Sequence, residues 1–534
     1  MAKVQFTTQA LAKNLSLTPK AIEEIQNMGI PAELTPEGLE VEALANRPDL
    51  YSLQGFVRAV QLYLGKRKPV DYPVLKPEKI HRIIIKPEVA EVRPFTVGAI
   101  IRDLTITSDI LETLIDIQEK LHKTIGRKRK KCAIGMYPAE KIAFPLTFTA
   151  KKPKDITFTP LGATKTFTAE EILTTHPTGK EYAHLLEKAQ KYPLFIDATG
   201  AILSMPPIIN SADTGQITIA TKQLFIECSG NHLPTLHNVL ALLTTLCAEL
   251  GGTIHGITIE REKETSITPQ LTYTKKPFSL EHANALLGTN ITEKELPKLC
   301  EKMGHRYEKG QIATPPWRID IMHEVDLIED IAIAYGYEKL IPTLPSFATT
   351  GNESDKRKQE RKITDLLIGL ELQEITTYHA ITEEEKNKYH LKALVMEGAK
   401  TEYKYLRPNL LIPALRVYHE NKDVSYPQNF FEIGTVFDEQ GTECTHLLIT
   451  ASPGTITHMQ QVVAYLTEQL QFPLVLKSHP TPLSIPGRSA LIIHNKKEIG
   501  YAGEIHPSTL KNAGLKMPLS ILELDITEFL NQKA

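Results

Sequence analysis

The sequence predicts an α+β protein divided into several domains, and three observations carry that reading. Its 534 residues are more than one hydrophobic core usually serves. Amphipathic helical runs and short β-branched runs are mixed through the middle of the chain, and strand-like runs dominate its last third. Cap, turn and linker signals cut the chain into four segments, 1–85, 86–265, 270–345 and 350–534.

In the first segment Thr18-Pro19 opens a helix and Gly29 closes it. The turn Asn46-Arg47-Pro48-Asp49-Leu50 leads into an amphipathic helix through Val57, Val60 and Leu64, and residues 66–79, rich in Lys and Pro, read as a linker. In the second segment Ser108 is placed to cap a helix carrying Leu111, Leu114, Ile115 and Leu121. Ile217-Thr218-Ile219 and Leu224-Phe225-Ile226 are strand-like, and a long helix with Val239, Leu240, Leu243 and Leu246 ends at Gly251-Gly252. In the third, Ser279 and Gly288 bound one short helix, and Thr292 with Glu295 forms a capping box for another that ends at Gly304. An extended arm from Gln311 to Pro316 precedes a last helix, a combination that suits a winged-helix-like unit. The fourth segment opens with a helix from Asp355, apolar at Ile363, Leu366, Leu367 and Leu370. Strands are expected at 429–437, 447–450, 489–494, 498–505 and 521–526, the third and fourth joined at Asn495-Lys496. Short links between them predict an antiparallel sheet with flanking helices.

Composition narrows the class. With 42% apolar and 23% charged residues the chain is a folded protein rather than a disordered one. No apolar run is long enough for a membrane span, and Met-Ala-Lys-Val-Gln-Phe-Thr-Thr lacks the apolar core of a signal peptide. A cytoplasmic protein with no membrane partner is expected. The five cysteines are scattered without a C-x-x-C pair, which argues against a disulfide framework or a thiolate zinc site. At a net charge of −2 any attraction to nucleic acid must be local. One such patch is Arg127, Lys128, Arg129, Lys130 and Lys131, preceded by Lys120 and Lys123. It reads equally as a phosphate-contacting surface or as the solvated basic end of a helix. His122 on that helix is expected to face solvent or RNA.

The sharpest motif runs from Pro315 to Asp330. Asp326, Glu329 and Asp330 stand at i, i+3 and i+4 and share one helix face, while Ile328, Ile331, Ala332 and Tyr335 form another. Asp320, six residues before, could fold back as a fourth oxygen donor. Hard oxygen ligands suit magnesium better than zinc. The alternatives are acids favoured by the helix dipole alone, or acids neutralised by a basic partner surface.

Arg318-Ile319-Asp320 followed by Asp326-Leu327-Ile328-Glu329-Asp330-Ile331-Ala332-Ile333-Ala334-Tyr335-Gly336-Tyr337 resembles the metal-binding signature of phenylalanyl-tRNA synthetase β subunits. Asn46-Arg47-Pro48-Asp49-Leu50 with Ser52 and Gly55 is similar to that family's N-terminal motif, and Leu203-Ser204-Met205-Pro206-Pro207-Ile208-Ile209-Asn210-Ser211 to its archaeal and eukaryotic-cytosolic central domain. Lys130-Lys131-Cys132-Ala133-Ile134-Gly135 fits the basic stretch before it. Leu406-Arg407-Pro408-Asn409-Leu410-Leu411, Phe431-Glu432-Ile433-Gly434 and Gly503-Glu504-Ile505-His506-Pro507 resemble its degenerate class II synthetase region. The resemblance covers nearly the whole chain in order.

It implies an α2β2 heterotetramer whose α subunit binds ATP and phenylalanine and charges tRNA(Phe). The β chain would support it and help to bind tRNA. Magnesium would be held by Asp320, Asp326, Glu329 and Asp330. Arg407 and Glu432 would be structural remnants of an ATP site. The central domain would hydrolyse tyrosine mischarged on tRNA(Phe), because a pocket built for Phe rejects an added hydroxyl poorly. Leu203, Ser204, Asn210 and Ser211 are its pocket candidates. Where archaeal relatives tend to read Thr-Gly-Thr-Asp this chain reads Ser229-Gly230-Asn231-His232, so His232 becomes the candidate hydrogen-bonding group there. The competing expectation is a free-standing tRNA-binding protein or mischarged-tRNA hydrolase.

Overall fold

A computed structural model of the chain describes residues 2–531 apart from 13, 14, 16, 263, 348 and 482. It divides into two compact units, 1–344 and 345–534.

The first unit begins with a three-stranded antiparallel sheet whose middle strand is Gly38–Ala43. Helix Pro19–Asn27 starts where the sequence places it: the Thr18 hydroxyl accepts the amide of Ala21, and Gly29 is left-handed at φ 75°. Ser52 caps helix Leu53–Tyr63. A β-carbon on Gly55 would lie 1.8 Å from the carbonyl oxygen of Asp49, so only glycine allows that helix to approach the Arg47–Asp49 turn.

The central sheet reaches back into sequence assigned above to the first segment. Arg82–Ile85 pairs in parallel with Thr253–Arg261 and Leu146–Lys151, and Val74–Leu75, inside the expected linker, also pairs with Thr253–Arg261. Beside them Phe95–Arg102, Leu224–Gly230 and Cys132–Pro138 run antiparallel. Helix Leu233–Glu249 buries Val239, Leu240, Leu243 and Leu246 in the same core. Helix Ser108–Lys123 is capped one residue earlier than expected, by Thr107. Ile217–Ile219 is not a strand: Thr218 and Thr221 close a turn on each other, and Ile219 is exposed.

The 270–345 segment folds as three helices, Leu280–Leu287, Leu296–Lys302 and Glu324–Tyr335, with a three-stranded antiparallel sheet. Its core gathers Leu296, Ile312, Leu327 and Ile331. It is joined to the N-terminal segment by the Arg58 guanidinium 4.2 Å over the Trp317 ring and by the Arg306–Asp71 ion pair at 2.9 Å.

The second unit is built on a seven-stranded sheet, antiparallel except for the edge pair Gln373–Glu374 with Gln428–Phe437, beside a two-stranded sheet of Ala380–Thr382 and Tyr403–Leu406. Helices Asp355–Gly369 and Ile456–Leu470 bury Ile363, Leu367, Met459 and Val463 with Phe431, Ile449 and Leu522 of the strands. His494 pairs with Lys497, leaving Asn495 and Lys496 as a two-residue turn at φ 46° and 64°. That is the left-handed conformation of tight hairpins. Arg407 and Glu432 form a buried ion pair at 2.8 Å, with Thr377 and the Thr435 carbonyl completing the bonds of the guanidinium. These two side chains tie the end of strand Tyr403–Leu406 to strand Gln428–Phe437 and are buried rather than open to solvent.

Candidate functional site

Strand Leu224–Gly230 lies between Phe95–Arg102 and Cys132–Pro138, and all of its residues are buried. Midway along it stands one acid, Glu227, paired across the ladder with Gly98 on one side and Gly135 on the other. A β-carbon on Gly135 would come within 2.6 Å of a Glu227 carboxyl oxygen and 2.3 Å of the Tyr137 hydroxyl, so the glycine makes room for both. The Tyr137 hydroxyl donates to Ser204 Oγ at 2.8 Å and lies 3.2 Å from Glu227 Oε1 and 3.4 Å from Asn210 Oδ1. Glu227 Oε2 is buried with no hydrogen-bond partner. Burial pushes the Glu227 carboxyl up to about 8, against the pull of the Arg93 charge. It is therefore protonated at neutral pH, able both to donate and to accept.

This cluster floors a cavity of about 700 Å³. Ile134, Met136, Ile208, Ile209 and Pro206 supply apolar wall; Ser204, Asn210 and Glu227 supply the polar floor. His122, which also lines the cavity, is buried rather than solvated. Its Nε2 accepts the Ile134 amide at 2.8 Å and its Nδ1 lies 3.1 Å from Glu119. The His122 hydrogen bond, with the Arg129 charge behind it, holds Glu119 down at about 2. Arg129 bonds the Ile208 carbonyl at 2.9 Å and lies 4.3 Å over the Tyr182 ring.

Of the pocket residues expected from sequence, Ser204 and Asn210 line this cavity. Leu203, Ser211 and His232 do not. Leu203 packs in the core with Phe195 and Phe225, and Ser211 caps the short helix Ala212–Gly215. The His232 ring caps helix Leu233–Glu249, its Nδ1 2.9 Å from the Thr235 hydroxyl. The acid of this site is Glu227, five residues earlier. A lone glutamate inside Leu-Phe-Ile-Glu-Cys-Ser-Gly was the signal for it, since an unpaired acid in a buried strand is costly without a task. Tyr137 carried no such signal. In the basic patch, Arg129 turns to this cavity, while Arg127, Lys128 and Lys130 line a second one.

The four acids of the Asp320–Asp330 motif separate into two pairs. Arg318 is buried and grips Asp320 with Nε at 2.9 Å and NH2 at 2.7 Å. The same NH2 lies 2.7 Å from Asp330, which His305 Nε2 also meets at 2.6 Å. Burial favours a neutral Asp330, but the Arg318 charge and the His305 hydrogen bond prevail and hold it at about 2. Asp326 spends one oxygen on the amides of Met322 and His323, at 2.7 and 2.6 Å. Glu329 is exposed. Among the described residues no group of three or more His, Cys, Asp or Glu side chains is placed to hold a metal ion. The donor set fits magnesium only through its outer pair, Asp326 and Glu329, with water completing the shell. The oxygens of Asp320 and Asp330 are turned to Arg318 because that buried cation needs them.

Residues 277–337 match the tRNA synthetase B5 domain, and residues 340–526 the phenylalanyl tRNA synthetase beta chain CLM domain. Curated relatives run almost end to end with the chain. The phenylalanine–tRNA ligase beta subunit of Archaeoglobus fulgidus is 33% identical over 92% of this chain and 91% of its own length. That of Methanococcus maripaludis is 33% identical over 96% and 97%. An N-terminal fragment of the Pyrococcus horikoshii phenylalanyl-tRNA synthetase beta subunit superposes with a TM-score of 0.58 at 32% identity, covering 62% of this chain and 99% of the fragment. Among the described residues no helix is long and apolar enough to cross a membrane.

Proposed function

The chain belongs to the phenylalanine–tRNA ligase β-subunit family, and from that premise we propose that it serves an α2β2 ligase in the cytoplasm and hydrolyses Tyr-tRNA(Phe) in its central-domain cavity. Attachment of phenylalanine, with ATP, falls to the α subunit. The observation that carries the hydrolytic reading is the arrangement of Glu227 in an apolar-walled cavity, its Oε2 buried without a hydrogen-bond partner and its Oε1 linked to Ser204 and Asn210 through the Tyr137 hydroxyl. The apolar wall suits an aromatic ring, and the polar floor suits its hydroxyl. A site that hydrogen-bonds a hydroxyl discriminates against the ring that lacks one far more strongly than a methylene-sized pocket can. Correctly charged Phe-tRNA(Phe) would leave buried polar groups unpaired and is spared.

Magnesium, in this reading, is carried by the winged-helix-like segment through Asp326 and Glu329, with Asp320 and Asp330 fixing that face from behind through Arg318. The ion would supply charge neutralisation at an acidic surface.

The test is deacylation of Tyr-tRNA(Phe) by the assembled α–β ligase. The native complex is expected to clear it, and Tyr137→Phe, which removes the hydroxyl that joins the three polar groups, to slow clearance about tenfold. Native complex that leaves Tyr-tRNA(Phe) intact would sink the reading in favour of a purely structural and tRNA-binding role.

A further inference from the structure

A second cavity, of about 820 Å³, lies beside the first, and Pro207 lines both. Its character is different. Arg127, Lys128 and Lys130 line it, as do Lys188 and Lys191 from the segment before strand Tyr192–Ile196, and Arg93 also reaches it. Against these six cationic side chains stand two acids, Glu88 and Glu91.

Two features make this more than a solvated basic face. Arg93 is buried, only 3% exposed, and among the described residues no carboxylate lies within ion-pairing distance of it. Its guanidinium donates to the hydroxyl and carbonyl of Ser229. Burial lowers its pKa to about 10, still charged at neutral pH. A buried cation without a counter-ion is costly, and an anion in the cavity would offset that cost. Then Arg127, Lys128 and Arg129 are successive left-handed residues, at φ 49°, 53° and 65°. An L-residue in that conformation is strained by its β-carbon against the following carbonyl oxygen. The turn sends Arg129 to the first cavity and Arg127, Lys128 and Lys130 to the second. A single strained turn thus serves both chambers.

We propose that the second cavity seats the phosphodiester backbone of the unpaired 3′ end of the aminoacylated RNA whose terminal ester enters the first. The inference rests on the hydrolytic reading above. The cavity holds lysine and arginine but no Phe, Tyr or Trp. It therefore tracks backbone charge rather than stacking bases, and contributes affinity independent of sequence. Lys188 and Lys191, which no sequence motif singled out, line the same cavity and are exposed. Replacing them does not disturb a core.

The experiment uses the complete α–β ligase and Tyr-tRNA(Phe), with deacylation followed over a range of salt. The double variant Lys188→Ala/Lys191→Ala is expected to raise KM for deacylation about tenfold, and to flatten the slope of log KM against log salt by about 1.4, the amount for two lost contacts to single-stranded phosphates. Tyrosyl-adenosine, an ester without phosphodiesters, should be hydrolysed by native and variant ligase with the same KM. If native ligase deacylates Tyr-tRNA(Phe) but the variant matches it in KM and salt slope, the second cavity is not the backbone seat and the hydrolytic reading stands. If the variant weakens tyrosyl-adenosine equally, Lys188 and Lys191 act on the first cavity and the inference is overturned. If native ligase deacylates neither substrate, both readings fail together.

Discussion

Replacing Glu227 by alanine should slow deacylation of Tyr-tRNA(Phe) by about 100-fold, the scale on which a positioned hydrogen-bonding group acts in a water-poor site. Replacing it by glutamine should cost far less. The reason is the protonation state. With its carboxyl pushed up to about 8 by burial, Glu227 is neutral at pH 7 and presents one donor and one acceptor, which a glutamine amide also presents. Deacylation by the native ligase should therefore fall as pH rises through 8, and Glu227→Gln should lack that limb. Stability carries the same signature. Between the unfolded value of 4.5 and the folded value of about 8, the folded chain holds a proton that the unfolded chain has released. Stability then declines as pH rises across that window and levels off above it. Thermal melts of the free chain at pH 5, 7 and 9 should show this decline, and Glu227→Gln should flatten it. Equal losses with alanine and glutamine would instead mean that the ionised carboxylate does the work.

How legible this site was in the sequence follows from what is local. Thr18, Ser279 and Gly288 bound helices as expected because a cap is decided within about four residues. The Asn495-Lys496 hairpin was legible for the same reason. Val74–Leu75 was hidden in a Lys- and Pro-rich stretch because its strand character comes from parallel pairing with Thr253–Arg261, some way along the chain. Residues 217–219 differ in the opposite sense: their side chains favour a strand, but among the described residues no strand pairs with them, and hydroxyl turns of Thr218 and Thr221 decide the backbone. The cavity shows the same division. Ser204 and Asn210 sit in one contiguous motif, whereas Tyr137 and Glu227 join them only through the sheet. His232 is a candidate only by resemblance, and its position just before a helix makes it a cap.

The Asp320–Asp330 motif shows why spacing alone could not settle its role, and Arg318 is the residue that decides it. Arg318→Met should destabilise the first unit by about 3–5 kcal/mol, because it leaves Asp330 buried with only His305 for a partner and frees Asp320 from its two-pronged grip. Acid unfolding should sharpen the contrast. Asp330 is held at about 2 in the folded chain against 3.8 unfolded, so its contribution is complete above about pH 4 and is lost as pH falls towards 2. Without the Arg318 charge the burial penalty is unopposed, and the loss should begin at higher pH. EDTA separates this arrangement from a metal-dependent one. If Arg318 is the resident cation for Asp320 and Asp330, chelation should leave the melting temperature of the native free chain nearly unchanged, with magnesium acting only on half-buried Asp326 and exposed Glu329. A fall on chelation as large as that caused by Arg318→Met would show instead that all four carboxylates share one ion and that Arg318 yields to it. The two outcomes differ in what holds the Glu324–Tyr335 helix in place. A guanidinium makes the fold of this segment self-sufficient and leaves magnesium free to answer the state of the complex; an ion would make folding and metal binding one equilibrium.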